Sequence, residues 1–310
     1  MDTTPWQSAI RIGRNQAGVI HRRQLRHLGM TSEKVRTRVG RGDLEMTLPG
    51  VWRFSVVGAS PLQHLWSAAL WADGAVVCGR SAGQLWNLDR VATSRPEVMV
   101  ASRCNPRHPS VIVRRASAIS LADVRRLHGL RITNPDLTLV HLAGTLAERD
   151  LEIAFESARR QRLATVDSVA QTLDRVGSSG RIGVARLQTV LHDLNSTAAC
   201  ESVLEVDTAR LLRRNRIATP TRQHEVRAFS KVYRLDFAWP SRRVFLECFG
   251  REPHDDPARW AADYDRLSAI AATTGWTPLV TTWNEVHHTP LLLIAKVRTA
   301  LARGHELPEV

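Results

Sequence analysis

Two acidic residues in adjacent predicted strands are best suited to chemistry. Along VYRLDFAW, alternation predicts that Leu235 and Phe237 share one face and that Asp236 points to the other. Along VFLECFG, Glu247 likewise points away from its apolar neighbours, so the strands present Asp236 and Glu247 at one edge. A third acid, Glu205, lies on the preceding predicted helix. Carboxylates among apolar residues are costly unless they bind a cation or find hydrogen-bond donors.

These carboxylates predict a site for Mg²⁺ or Mn²⁺ with Asp236 and Glu247 as ligands. Such an ion would position a phosphate group and activate water. The alternative is structural: the two acids end exposed strands or pair with a nearby arginine such as Arg234. Spacing alone leaves both interpretations open.

A second set of residues is basic and lies near the start of the chain. The segment SEKVRTRVGRG predicts a helix that Thr31 or Ser32 can cap, with Val35 and Val39 facing inward. The rest of its surface is basic, and a further arginine follows in the next hairpin. The predicted DNA-contacting residues are Lys34, Arg36, Arg38, Arg41 and Arg53.

The elements around this helix follow a recognisable order. Helices are predicted at residues 5–14 and 21–28, and after the basic helix DLEMTLPGVWRFS alternates as a hairpin that is split by Pro49 and Gly50. Helix, tight turn, basic helix and hairpin is the order of a winged helix-turn-helix, whose second helix enters the major groove of DNA. We assign residues 1–60 to this domain.

The overall charge agrees with a polyanionic partner. The 310 residues carry a net charge of +13, and residues 1–60 hold 10 basic and 4 acidic side chains. The alternative is a solvated basic face without a partner.

The four cysteines lie far apart with no Cys-x-x-Cys pair, which fits reduced thiols. No signal peptide or apolar span is predicted, so we expect a cytoplasmic protein without a membrane partner.

The remaining chain predicts two further domains. Residues 61–198 are mainly helical, with a small hairpin or mixed sheet formed by VMVAS and SVIVRR. Residues 199–310 predict helix, three strands, helix, strand and helix, an α/β domain. The fold class is therefore an α+β multidomain protein.

The last domain resembles a known family. SVLE at 202–205, RLDFAWP, FLECFG, His254, Asp263 and GWTPLVTTWNEV occur in the order found in the DUF559 family. That family is related to the Vsr-like (very-short-patch-repair) endonucleases of the PD-(D/E)XK superfamily. The resemblance covers residues 200–303 and implies a restriction-endonuclease-like fold. It also implies catalytic roles for Asp236, Glu247, Glu205 and His254.

One position departs from that family. Two residues after the glutamate, such domains carry a second acidic ligand or a lysine, whereas this chain has Phe249. Positions i and i+2 of a strand share a face, and an aromatic ring supplies neither an oxygen ligand nor a proton donor. Arg251 and Lys231 are candidate substitutes, although a guanidinium is a poor acid-base group. Phe249 argues against full nuclease activity.

The front of the chain resembles the AbiEi-type antitoxins of type IV toxin–antitoxin systems over residues 15–90, including the Pro-Gly-Val turn. The resemblance implies a DNA-binding winged helix and a cognate toxin or defence-system protein as partner. We therefore expect a double-stranded-DNA-binding regulator or antitoxin-like protein. The alternative is a divalent-metal-dependent DNA endonuclease targeted by the winged helix. A pure protein-interaction module is a third reading, disfavoured by the density of arginine in residues 22–53.

Overall fold

The protein is an α+β multidomain molecule with three sheets in the part of the chain that the structure describes. The structure is a computed structural model. It forms two compact units, Met1–Ala154 with Leu163–Leu187, and Phe155–Arg162 with Gln188–Val310. Within the described residues, no helix combines the length and apolarity that crossing a membrane requires. The described ranges are 4–102, 104–117, 119–177, 182–194, 202–249 and 257–304.

The first unit begins with the predicted helices and hairpin, and these elements are confirmed. Thr31 caps the basic helix by accepting a hydrogen bond from the backbone N–H of Lys34. A short strand before the second helix completes an antiparallel sheet of order β1-β3-β2. The elements are α1 (Pro5–Arg14), β1 (Val19–His21), α2 (Arg22–His27), α3 (Ser32–Gly40), β2 (Leu44–Leu48) and β3 (Val51–Phe54).

The core beneath α3 explains which of its faces is turned outward. Leu25, Val35 and Trp52 are buried in one apolar cluster, so the face of α3 that carries Val35 packs inward. Val39 was expected to face inward too, but its side chain is 38% exposed. Val39 lies one residue before the end of α3 and is not part of this cluster.

The rest of the first unit contains a sheet that is larger than expected. VMVAS and SVIVRR lie in neighbouring strands that pair in parallel, so the hairpin alternative is wrong and the mixed sheet is correct. That sheet has five strands in the order β6-β5-β4-β8-β7. Its strands are β4 (Val76–Val77), β5 (Glu97–Ala101), β6 (Ile112–Ala116), β7 (Val124–Leu127) and β8 (Leu130–Thr133). The helices that lie wholly in this unit are α4 (Pro61–Trp71), α5 (Gly79–Leu85), α6 (Pro135–Ala143) and α8 (Val166–Val176). Two further helices have residues in both units: α7 (Glu148–Arg160) and α9 (Val184–Leu194).

The second unit contains the predicted order of helix, three strands, helix, strand and helix, with one extra short helix, α12. Its sheet has the order β12-β11-β10-β9; β11 and β12 are parallel and the other pairs are antiparallel. The elements are α10 (Val203–Arg214), β9 (Thr221–Ala228), β10 (Lys231–Trp239), β11 (Val244–Phe249), α11 (Pro257–Thr274), β12 (Thr277–Thr282), α12 (Trp283–His288) and α13 (Pro290–Arg303).

Apolar clusters lie on both faces of this sheet. Val244 and Leu246 pack with α10, α12 and α13 on one face, whereas Phe245 packs with α11 on the other. Leu235 and Phe237 were expected to share a face, but they belong to different clusters. The reason is a local irregularity in the strand pair. Asp236 and Gln223 stand opposite each other but are not paired in the ladder between β9 and β10, and the φ angle of Gln223 is +54°.

Candidate functional site

The exposed basic residues of α3 form the first candidate site. Lys34, Arg36 and Arg41 are exposed, and none of them forms an ion pair or side-chain hydrogen bond within the described residues. Their exposure follows from Val35, whose burial turns that face of α3 toward the core. These three cations are therefore available to an anionic partner.

The other two predicted contact residues are held within the protein. Arg38 donates to Asp43 at 2.8 Å, and its guanidinium carbon lies 4.1 Å from the centre of the Trp6 ring. Arg53 pairs with Glu45 and also donates to the carbonyl oxygen of Val57 at 2.8 Å. In a DNA contact, the guanidinium groups of Arg38 and Arg53 would be shared between the DNA and these partners within the protein. DNA binding by these two residues stays a prediction.

A groove between α2, α3 and the hairpin extends the basic surface. It encloses about 410 Å³, and Arg22 and Arg26 of α2 line it together with Arg36. Trp52 also lines it, and the indole N–H of this buried residue has no hydrogen-bond partner in the described part of the chain. The indole N–H is itself buried, so the donors that this groove offers to an anion are those of its three arginines.

Asp236 lies where two strands separate, and it forms the centre of the second candidate site. The pairs between β10 and β11 end at Phe237 with Leu246, one residue short of Asp236 and Glu247. Asp236 Oδ2 accepts a hydrogen bond of 2.9 Å from the backbone N–H of Cys248. This bond holds the carboxylate in the opening between the two strands.

Glu247 projects from β11 on the face that α11 covers, as alternation predicted. It is only 2% exposed, and its Oε2 accepts a hydrogen bond of 2.6 Å from Arg266 of α11. Its other oxygen, Oε1, is buried and has no partner within the described residues. Phe249 stands two residues along the same face and is 8% exposed. Within the described residues, one buried carboxylate oxygen thus forms no hydrogen bond, although the nearby backbone N–H of Asp236 helps to lower the pKa of Glu247.

Glu205 approaches Asp236 from α10, which packs on the opposite face of the sheet. Ser202 caps α10 at its N-terminus and accepts a hydrogen bond from the backbone N–H of Glu205. Gln223 donates to Glu205 Oε2 at 3.2 Å, and Arg234 in turn donates to Gln223 at 2.9 Å. The Gln223 side chain therefore links Glu205 to Arg234, which is exposed.

A buried ion pair supports this side of the site. Arg222, next to Gln223 on β9, lies 2.7 Å from Glu156 Oε1, and Arg159 contacts the other oxygen of Glu156 at 3.1 Å. Both Arg222 and Glu156 are buried. Breaking a buried pair is strongly destabilising, so this pair fixes the position of β9 beside the carboxylates.

Burial makes the three carboxylates reluctant to ionise. Burial, reinforced by the charge of Asp236, raises the pKa of Glu205 to about 7. The same two causes raise the pKa of Glu247 to about 7, against the opposing effect of Arg266. Burial also raises the pKa of Asp236, although the N–H of Cys248 opposes the shift. A concentration of negative charge at low dielectric is typical of sites that hold a cation or exchange protons.

The residues fit a divalent ion through two ligands rather than three. Among the described residues, no group of three or more His, Cys, Asp or Glu side chains is arranged to hold a metal ion. Glu205 and Glu247 approach from opposite faces of the sheet, with Asp236 between them. Mg²⁺ commonly binds through one or two carboxylates and completes its octahedron with water and phosphate. Asp236 and Glu247, whose Oε1 forms no hydrogen bond within the described residues, would be the two carboxylates of such a set.

Sequence reasoning brought together Asp236, Glu247 and Glu205 but missed their partners. Arg266 shares a helix face with the buried Ile270, four residues on. A charged residue within an apolar stripe was the signal that could have identified it. Gln223 had no such signal. The alternative of pairing with a nearby arginine is confirmed for Glu247, although its partner is Arg266 and not Arg234, the example given. His254 lies outside the described residues.

The comparisons with known proteins give relatives without a stated activity. No protein-family profile matches the chain. It is 25% identical over 282 residues to two uncharacterized Mycobacterium tuberculosis proteins, MT2308 of strain CDC 1551 / Oshkosh and Rv2248 of strain H37Rv. Each match covers 89% of this chain and 98% of the relative. The crystal structure of the M. tuberculosis protein Rv2827c matches with a TM-score of 0.41 and 17% identity, covering 74% of this chain and 89% of that one.

Proposed function

We propose that the protein binds double-stranded DNA through α3 and acts as an antitoxin-like transcriptional regulator. In this proposal α1 to β3 form a winged helix-turn-helix, with α3 in the major groove and the hairpin against the backbone. The supporting observation is that Lys34, Arg36 and Arg41 are exposed on and beside one helix and form no ion pair with any described residue. Arg22 and Arg26, which line the adjoining groove, add phosphate contacts.

The test compares two triple variants of the full chain by fluorescence anisotropy with a labelled duplex. Changing Lys34, Arg36 and Arg41 to Ala removes three phosphate contacts. At 0.1 M salt, the release of counterions from three phosphate contacts raises the affinity about 500-fold, so losing the contacts should lower it by up to that factor. The matched control removes three exposed arginines from β6 and β7 (Arg115, Arg125 and Arg126).

The control separates local contact from net charge. We expect the α3 variant to lose most of its affinity and the control to lose less than about threefold. Equal losses in the two variants would reject α3 as the DNA-binding element. Circular dichroism of both variants confirms that each is folded.

The resemblance to the antitoxins extends this proposal to a cellular setting. A cognate toxin or defence-system protein is the proposed protein partner, and the cytoplasm is the proposed location. A nucleotidyltransferase encoded beside this protein would support the antitoxin role. A neighbouring methylase or helicase would instead favour a defence role for the second unit.

The second candidate function is a divalent-metal-dependent DNA endonuclease, favoured by the buried Oε1 of Glu247, which forms no hydrogen bond in the described part of the chain. Asp236 and Glu247 would hold Mg²⁺ or Mn²⁺, which when bound positions a phosphate and activates water. The N–H of Cys248 orients Asp236, and Arg266 neutralises part of the charge on Glu247. Because Phe249 supplies no ligand, we expect cleavage to be slow or absent.

Relaxation of a supercoiled plasmid with Mn²⁺ tests this candidate. Robust cleavage by the wild type that disappears in both Asp236→Ala and Glu247→Ala would make the protein an enzyme. Cleavage that persists in both variants would come from a contaminant or another site. Absence of cleavage with retained DNA binding agrees with the regulator proposal.

A further inference from the structure

The hairpin that joins β9 and β10 has an exposed aromatic residue at its tip. Phe229 and Ser230 form a two-residue turn between the paired residues Ala228 and Lys231. The Phe229 side chain is 73% exposed. It therefore contributes little to the apolar core, and its type is not explained by packing.

The backbone at Phe229 makes the aromatic residue more unusual. Its φ is +52°, in the left-handed region. Turns of this length normally place Gly, Asn or Asp at positive φ, because a bulky side chain is strained there. Residues held in strained conformations cluster at binding and active sites. An aromatic side chain that faces solvent from a strained backbone position is a candidate for contact with a ligand.

The charges around the tip identify the kind of ligand. Arg227 and Lys231 flank Phe229 on its two strands; both are exposed, and neither forms an ion pair within the described residues. Val232, opposite Arg227 in the ladder, is 55% exposed. Glu225 is the single acidic residue of β9 and β10 between Gln223 and Arg234. An exposed aromatic ring between unpaired cations suits a nucleobase with its phosphates.

The open face of this hairpin leads to the carboxylate site. α11 covers the face that carries Val226 and Leu235, so Arg227 and Arg234 lie on the other face. Arg234 contacts Gln223, which contacts Glu205. At about 3.3 Å per residue, the path from Arg234 to Phe229 is about 16 Å, the length of several nucleotides.

We propose that the β9–β10 hairpin binds single-stranded or locally unpaired nucleic acid, with Phe229 stacking on a base. Arg227 and Lys231 pair with the flanking phosphates. This contact goes beyond the duplex binding assigned to α3 and does not depend on it. It gives the second unit a strand-binding surface whether or not the carboxylate site cleaves DNA.

The experiment measures anisotropy of a labelled, mixed-sequence 15-nucleotide single strand with the full chain. All proteins in this experiment carry the Ala changes at Lys34, Arg36 and Arg41, so that α3 does not contribute to binding. A failure of the hairpin proposal can then be told apart from a failure of the α3 proposal. Phe229→Leu is expected to weaken binding about tenfold without changing the salt dependence, because stacking releases no counterions. Phe229→Trp should bind within about twofold of the parent.

Arg227 and Lys231 are tested through the salt dependence of binding. Changing both Arg227 and Lys231 to Ala should reduce the slope of log K against log salt by about 1.4, which is about 0.7 for each phosphate contact on a single strand. Tyr264→Leu is the matched control, because Tyr264 is another exposed aromatic residue of the same unit at 57% exposure. It should leave affinity unchanged.

Folding is checked with Phe229→Gly. Glycine relieves the positive φ, so this variant should unfold at the same or a higher urea concentration while losing single-strand affinity. A lower unfolding midpoint would give Phe229 a folding role and overturn the proposal. Parental affinity in Phe229→Leu, or an equal loss in Tyr264→Leu, would overturn it as well.

Discussion

Replacing Glu247 by Gln should make the protein more stable at neutral and alkaline pH. The substitution keeps the shape of the side chain and an acceptor for Arg266 but removes a buried charge. Most substitutions at buried positions destabilise a protein, so an increase in stability would be diagnostic. It would identify a carboxylate that is retained for function at a cost in stability.

The magnitude follows from the two pKa values. Folding raises the pKa of Glu247 from about 4.3 in the unfolded chain to about 7. Because the folded state holds the proton more tightly, the wild-type free energy of unfolding falls as pH rises from about 4.3 to about 7. The linkage relation gives a loss of about 1 kcal/mol at pH 5 and roughly 3–4 kcal/mol at pH 8. The Gln variant lacks this loss.

The assay is urea unfolding of both proteins at pH 5 and pH 8 without divalent ions, followed by circular dichroism. The variant should exceed the wild type by about 1 kcal/mol at pH 5 and by roughly 3–4 kcal/mol at pH 8. Glu225→Gln, an exposed site on β9, is the matched control and should stay within about 0.5 kcal/mol. An advantage that is absent, or equal at the two pH values, would refute the reasoning.

Three further predictions concern the two sites. At pH 8, 10 mM MnCl₂ should raise the unfolding free energy of the wild type by about 1.4 kcal/mol for an affinity of about 1 mM, and should not do so in Asp236→Asn. Phe249→Asp, or Phe249→Lys, should increase Mn²⁺-dependent plasmid nicking, and adding Glu247→Gln should abolish the gain. Arg38→Ala should lower the unfolding free energy measured in urea by about 1–2 kcal/mol, because it breaks an ion pair and an aromatic contact, whereas Arg36→Ala should stay within about 0.5 kcal/mol.

Local patterns predicted the elements that rest on local physics. Thr31 caps α3, and the Pro49–Gly50 turn separates β2 from β3, because caps and turns depend on a few adjacent residues. Alternation along β11 placed Glu247 correctly, since that strand is regular. The pairing of strands was harder to predict from the sequence. The parallel pairing of β5 with β6 depends on contacts that no local pattern encodes.

The misassigned residues depend on irregular or distant structure. Leu235 and Phe237 were wrongly placed on one face because the positive φ of Gln223 interrupts the ladder beside them. Arg266 reaches Glu247 from a helix 19 residues further along the chain. Arg38 was assigned to DNA from its place on a basic helix, and its pairing with Asp43 required the three-dimensional fold.

The salt dependence of affinity tests most directly whether α3 binds DNA through its exposed cations. Dissociation constants for a labelled duplex are measured between 0.05 and 0.3 M NaCl for the wild type and for the variant with Ala at Lys34, Arg36 and Arg41. The slope of log K against log salt should be shallower in the variant by about 2.7, because each lost phosphate contact contributes about 0.9. Equal slopes for the two proteins would contradict the claim.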